Sequence, residues 1–196
     1  MPIYETHPPP TASPDAAATD APSGDPVLER VVAPVVETMG FELVHIEWSP
    51  SKRHRIVRVY LDHASGVTLE DCARMSRVIE NALDAAETSP DASDVRAALT
   101  GSYTLEVSSP GLERPLVKRS HFERFIGQRA VVRTVVPLDA EGSQRTFHGH
   151  ILATQQDPAA PDDERRGTIV LRDLTGTTTH RIPLTCVRRA NLVYEG

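Results

Sequence analysis

The sequence predicts an α+β protein with two domains. The first has the element order α-β-β-α-β, with two helices on one face of a three-stranded sheet, and the second is a small β-barrel. Apolar residues recur at helical spacing on either side of two alternating, strand-like runs. The second half consists of short β-rich runs between polar turns. A length of 196 residues allows two small domains, which we expect at 25–115 and 116–196.

The first helix is expected to begin after Asp25. An acidic N-cap followed by Pro26 is a typical helix start, and Gly40 supplies the end. Pro34 lies inside the pattern, so we expect a kink or two short helical pieces there. The apolar face consists of Leu28, Val32, Val35, Val36 and Met39.

Two strands and a polar connection follow. Residues 41–48 alternate with Val44, Ile46 and Trp48 on one face, and residues 55–62 alternate in the same way. Their short polar connection predicts an antiparallel hairpin.

The clearest helix spans residues 69–87. Thr68 and Asp71 resemble a capping box, and an apolar face recurs at helical spacing. That face consists of Leu69, Cys72, Met75, Ile79, Leu83 and Ala86. Residues 89–101 are expected to form a loop with at most one loose turn, and residues 103–107 the third strand.

The second half predicts one short helix and five strands. Residues 119–127 have Phe122, Phe125 and Ile126 on their apolar side. The expected strands lie within 128–136, 145–154, 167–174, 177–184 and 186–194. Gly149 inside the second of these fits the sharp bend of a small barrel.

The composition narrows the compartment and the class of protein. Residues 1–24 are rich in Pro, Ala, Asp and Thr without apolar periodicity, so we expect a disordered tail rather than a signal or transit peptide. No apolar run is long enough to span a membrane. Cys72 and Cys186 form no paired motif, and Cys72 is expected to be a small buried apolar residue. The sequence therefore predicts a soluble cytoplasmic protein.

The charge distribution is uneven. The net charge is −6, but residues 1–25 and the acidic stretch 157–166 account for it, and the remainder is neutral. Residues 114–133 contain six basic residues and one acid, Glu123. This basic segment is compatible with a phosphate-rich partner or with a merely solvated surface.

The stretch 105–116, LEVSSPGLERPL, offers three alternatives. A nucleophilic serine is disfavoured, because the GxSxG elbow is absent and Pro110 removes an N–H that would serve as an oxyanion donor. A docking surface and a simple corner between domains both remain. Pro110 and Gly111 suit the central positions of a type II turn.

Metal and cofactor sites are not predicted. His148 and His150 share a strand face, but no further ligand lies at suitable spacing, and two partly exposed histidines are the better interpretation. Phosphate-binding glycine loops are absent from the sequence.

Taken together, residues 66–84, 103–116 and 121–127 resemble the ribosome maturation factor RimP family, with weaker similarity through 181–193. The resemblance implies an Sm-like, SH3-type barrel as the second domain. It implies no enzymatic activity and no cofactor, but binding to the immature 30S ribosomal subunit through the ribosomal protein at the decoding centre and 16S rRNA. We expect a monomer. A stand-alone RNA-binding module that uses the barrel is the alternative.

The resemblance also assigns partner-binding positions. They are Asp71, Ser76, Arg77, Glu106, Ser108, Ser109, Pro110, Gly111, Arg114 and Pro115. Possible RNA contacts in the basic segment are Lys118, Arg119, Arg124 and Arg129. Two loops depart from the family pattern, 87–102 by its length and 157–166 as an insertion, and either could alter the interface.

Overall fold

The computed structural model describes residues 25–50, 55–138 and 142–195, which form two sheets and four α-helices. The tail predicted at 1–24 lies outside the described residues. The first part of the chain contains α1 (Pro26–Thr38), β1 (Glu42–Pro50), β2 (Arg55–Asp62), α2 (Leu69–Thr88), α3 (Ser93–Leu99) and β3 (Tyr103–Ser108). The second part contains α4 (Arg119–Arg124), β4 (Arg129–Thr134), β5 (Thr146–Gln155), β6 (Thr168–Asp173), β7 (Thr179–Pro183) and β8 (Val187–Leu192).

Helix α1 begins as predicted and is continuous. The Asp25 carboxylate accepts hydrogen bonds from the N–H groups of Val27 and Leu28, at 3.0 and 3.2 Å. The expected division into two pieces is wrong. Proline has no N–H to donate to the carbonyl group one turn earlier in the helix. Because Pro34 is exposed, that carbonyl group can face water instead.

The first sheet has the order β1-β2-β3, antiparallel between β1 and β2 and parallel between β2 and β3. The hairpin is confirmed, but a bulge between Leu43 and His45 disrupts the alternation predicted for β1. As a result Leu43 and Ile46 both enter the core under the helices, and His45 is also buried.

Three helices rather than two cover this sheet. Helix α2 has the predicted capping box and buries Met75, Ile79 and Leu83, but Leu69 is 90% exposed. The loop expected at 89–101 is wrong: α3 forms there and buries Val95 and Leu99, which are four residues apart and therefore share a face.

The second sheet is antiparallel with the order β7-β6-β5-β4-β8. It surrounds a separate core that includes Phe122, Phe147 and Leu171, whereas Ile126 is 52% exposed, contrary to prediction. A Cβ atom on Gly149 would lie 2.0 Å from the carbonyl oxygen of Arg172, so glycine lets β6 approach β5 closely. Within the described part of the chain β7 and β8 are unpaired edges, and no closed barrel is found.

No helix in the described ranges combines the length and apolar character that crossing a membrane requires.

Candidate docking site at the domain junction

Residues 108–113, which we call the corner, lie at the end of β3 on the connection between the two sheets. Gly111 has a φ of +65°, the left-handed conformation expected of it, although the turn is formed by Leu112 and Glu113, two positions later than predicted. Ser109 is exposed, and the Ser108 hydroxyl donates to the carbonyl oxygen of Ser109 at 3.1 Å. Leu112 is 66% exposed, so the corner presents an apolar side chain beside polar groups.

Helix α2 lies beside this corner. Burial raises the pKa of the Cys72 thiol, and the backbone N–H of Ser109 opposes that shift. Cys72 is therefore close to the corner and half-buried rather than fully buried as expected. Ser76 follows one turn later on the same side of α2 and is also half-buried.

The other two predicted positions on α2 differ in their surroundings. Asp71 accepts hydrogen bonds from the N–H and the hydroxyl of Thr68, which lower its pKa, and it forms an ion pair with Arg74 at 2.9 Å. Asp71 therefore stabilises the start of the helix. Arg77 is exposed, and among the described residues it has no ion-pair partner.

Glu106 lies on the sheet face opposite the helices. Its Oε2 accepts hydrogen bonds from Nε and Nη2 of Arg58, at 2.9 and 2.7 Å, and Arg58 also lies 3.5 Å from Glu47. Burial lowers the pKa of Arg58, but the hydrogen bonds and charges of Glu106 and Tyr60 together outweigh burial, and the pKa is raised. Glu106 thus holds Arg58, an arginine that the sequence reasoning did not name.

Arg114 lies inside the junction. Its side chain is only 4% exposed, and its guanidinium bonds both Asp62 and Glu42, the latter at 2.7 Å. The two carboxylates are register partners at the open end of the β1–β2 hairpin. Arg124 of α4 reaches the same pair, at 2.9 Å from Glu42 and 3.6 Å from Asp62. We call Glu42, Asp62, Arg114 and Arg124 the junction cluster.

His121 completes the junction cluster from the side of α4. Its Nε2 lies 3.4 Å from Glu42, and its Nδ1 accepts a hydrogen bond from the N–H of Val117 at 3.3 Å. Burial lowers the pKa of His121, so the ring is neutral at physiological pH. The hydrogen bond with His121 and the charge of Arg114 lower the pKa of Glu42 to about 2.

The inserted loop 157–166 accounts for a second buried arginine. Arg119 is 4% exposed and bonds Glu164 and the carbonyl of Pro161, and it also lies 3.4 Å from Glu123. The other Glu164 oxygen accepts from the N–H of Ser120 at 2.9 Å, so this loop caps α4. Because the cap comes from a distant carboxylate, α4 forms although Lys118 makes no side-chain cap.

The same loop also contacts α1. Arg165 donates to both carboxylate oxygens of Glu29 in α1, each at 2.5 Å, and the Glu29 side chain is only 15% exposed. The insertion is therefore a strut that joins the second sheet to α1, a role that the sequence reasoning did not assign to it.

The remaining basic residues differ in accessibility. Lys118 is half-buried, and Arg129 lies 3.4 Å from Glu195 with a side chain 31% exposed. Pro115 forms an isolated bridge with Asn191 that lays the linker along β8. Most of the predicted RNA contacts thus already have partners inside the protein. Within the described residues, no group of three or more His, Cys, Asp or Glu side chains is arranged to hold a metal ion.

Comparison with known families adds one finding. The RimP N-terminal domain family matches residues 31–113, from the middle of α1 to the corner. This part of the chain is a RimP N-terminal domain. The match contains the predicted positions on α2, on β3 and in the corner, whereas Arg114 and the whole second sheet follow it. A RimP N-terminal domain indicates a role in ribosome maturation.

Sequence reasoning missed Glu42 and Asp62, the carboxylates around which the junction is built. The available signal was their position, one at the start of β1 and the other at the end of β2. Antiparallel pairing brings such residues together. The pattern could not show that arginines from beyond β3 meet them.

Proposed function

We propose that the protein is a non-enzymatic cytoplasmic assembly factor that acts as a monomer on the immature 30S ribosomal subunit. It binds through the ribosomal protein at the decoding centre and through 16S rRNA. The observation that carries this proposal is the RimP N-terminal domain over residues 31–113, which includes the corner and the adjoining part of α2.

The geometry supports docking at the corner. Ser109, Leu112 and Arg77 are exposed, and the first two belong to a segment held between β3 and the junction cluster. A surface fixed in this way loses little conformational entropy on binding. The family resemblance also assigns Arg114 to partner binding, but Arg114 is buried and anchors this segment to Glu42 and Asp62.

We also propose that residues 25–115 and 116–196 are two domains and that the second is of the Sm-like, SH3 type. Its last strand, β8, lies beside its first, β4, and a 3-10 turn at Leu184–Cys186 precedes β8. A bulge between Ile151 and Ala153 accompanies the close approach at Gly149. Bulges and glycines of this kind bend small barrels.

Co-sedimentation with purified small subunits tests the function. The protein should pellet with free and precursor small subunits but not with whole ribosomes. Arg77→Glu should weaken this binding at least about tenfold, the loss of about 1.4 kcal/mol expected at an interface arginine. Arg30→Glu is the matched control, because Arg30 is 63% exposed and pairs with Asp94 away from the corner.

A deletion strain provides the cellular test. It should accumulate unprocessed small-subunit rRNA that the wild-type gene corrects and the Arg77→Glu gene does not. Normal rRNA processing in the deletion strain, or absence of binding to subunits at low salt, would refute the assembly role.

The alternative is a stand-alone RNA-binding module, which the basic residues of the second sheet favour. It requires naked 16S rRNA to bind as tightly as the assembled subunit. Preference for the precursor subunit over naked rRNA would exclude it.

A further inference from the structure

The second sheet has a basic outer face. Inward positions of its strands, such as Val132, Phe147 and Leu171, fill the core, and alternate positions face outward. We propose that this outer face binds the sugar–phosphate backbone of RNA. The inference rests on the proposed function and names the surface that would make its rRNA contact.

Strand register places the basic residues in adjacent rows. Arg133 of β4 pairs with Arg189 of β8, Arg129 of β4 pairs with His150 of β5, and His150 pairs with Arg172 of β6. Paired residues project from the same side of a sheet. His148 lies two residues before His150 and so shares this side. We call the set the basic face: Arg129, Arg133, His148, His150, Arg172 and Arg189.

The basic face is open to solvent and has little internal neutralisation. Arg133, His148, Arg172 and Arg189 are exposed. In the part of the chain that the structure describes, neither Arg133 nor Arg172 has an ion-pair partner. Glu195 neutralises only Arg129, at 3.4 Å. This concentration of positive charge occurs in a protein of net charge −6.

The pair Arg133–Arg189 is unfavourable in the free protein. Like charges directly opposite each other on neighbouring strands repel. An anion bound between the two guanidinium groups would remove that repulsion and accept bidentate hydrogen bonds from either. The face extends over four strands, β8, β4, β5 and β6, or about 14 Å at about 4.8 Å per strand spacing. It can therefore contact several phosphates at once.

The side chains on the basic face favour contacts with the sugar–phosphate backbone of RNA over contacts with its bases. The paired outward positions of β8, β4, β5 and β6 contain no Phe, Tyr or Trp on which a base could stack. Arginines on a sheet surface instead suit phosphate oxygens, which position a protein on RNA without reading its sequence. We therefore expect affinity that depends strongly on salt and weakly on sequence.

Fluorescence anisotropy of the full-length protein tests the proposal. The probes are a labelled hairpin of 16S rRNA sequence and an unrelated hairpin of the same length. Both should bind, with a slope of log K against log salt near about −3, since four arginines each contribute about 0.7 to 0.9. Arg133→Glu combined with Arg172→Glu should weaken binding at least about tenfold and reduce the slope by about 1.5.

The variant and its control are matched in charge. Arg133→Glu places a carboxylate opposite Arg189, so the fold should not be weakened, and circular dichroism checks this. The control combines Arg30→Glu with Arg166→Glu, exposed arginines outside the basic face whose side chains are 63% and 44% exposed. It has the same change in net charge and should bind RNA within about twofold of wild type.

Three results would overturn the proposal. They are undiminished RNA binding by the basic-face variant, absence of RNA binding by the wild type at low salt, and competition by poly-glutamate as effective as that by RNA. The third would identify an acidic protein as the occupant. Co-sedimentation with subunits is measured separately. If the wild-type protein pellets with subunits but does not bind naked RNA, only this inference is refuted and the proposed function is not.

Discussion

Replacement of Arg114 by alanine should loosen the junction between the two domains. Arg114 is almost fully buried and bonds both Glu42 and Asp62. Without it, two carboxylates stay close together, and only Arg124 still neutralises them. Removal of one partner from a buried ion pair typically costs about 3 to 5 kcal/mol.

The expected cost here is smaller, because water can reach the remaining carboxylates. The Glu42 and Asp62 side chains are 38% and 21% exposed. We therefore expect Arg114→Ala to lower the free energy of unfolding by about 2 to 3 kcal/mol. Arg114→Lys should lose about half as much, since lysine keeps the charge but cannot bond both carboxylates with a planar fork.

Urea unfolding with two probes measures this effect. Trp48, the single tryptophan, reports on the first domain, and far-UV circular dichroism reports on both. In the wild type the two transitions should coincide, whereas in Arg114→Ala they should separate because the domains are less coupled. The control Arg74→Ala removes an exposed pair and should cost less than about 1 kcal/mol. An Arg114→Ala loss no larger than that of the control, with coincident transitions, would refute a stabilising role of the junction cluster.

Acid, the inserted loop and the second sheet each provide a further prediction. The pKa of Glu42 falls from 4.5 to about 2 on folding, so the stabilisation that Glu42 provides is complete above pH 4.5 and disappears as the pH falls towards 2. In Glu42→Gln the free energy of unfolding, measured with urea, should therefore depend less on pH across that range. An unchanged dependence on pH would contradict this. Arg165→Ala removes the ion pair with Glu29 of α1 and should lower the free energy of unfolding by about 1 kcal/mol, whereas the control Arg166→Ala should lower it less. Equal losses of stability for the two variants in thermal unfolding would argue against a stabilising contact between the inserted loop and α1. Gly149→Ala forces the backbones of β5 and β6 apart and should cost about 3 kcal/mol, so a variant that melts at the wild-type temperature would show that the approach is relaxed.

The N-terminal elements were predictable because their signals are local. The Asp25 cap, the capping box at Thr68 and the alternation in β2 each depend on residues within a few positions, and all three occur in the structure. Helix α3 was missed because it is only seven residues long and buries only two side chains, Val95 and Leu99. So short a helix is stable only where Val95 and Leu99 can be buried against the rest of the domain.

The bulge in β1 shows why even a clear alternation can mislead. One extra residue between Leu43 and His45 changes which side chains face the core. The bulge depends on pairing with β2, so nothing in β1 alone predicts it. Exposure of Leu69 is a related case, since its helical spacing is correct but none of the elements that the structure describes covers Leu69 in the first turn of α2.

By itself the sequence determined the α+β class, most of the helices and strands, and the RimP N-terminal domain, because these depend on local spacing and on contiguous motifs. Only the tertiary structure decided which arginine side chains are exposed and can therefore bind a partner. Within one basic segment Arg114 and Arg119 are buried among carboxylates from distant parts of the chain, whereas Arg133 is exposed on the second sheet. The physical reason is that a guanidinium group is withdrawn from solvent only where folding brings a carboxylate to it. That meeting depends on strand pairing and domain packing, which no local pattern encodes.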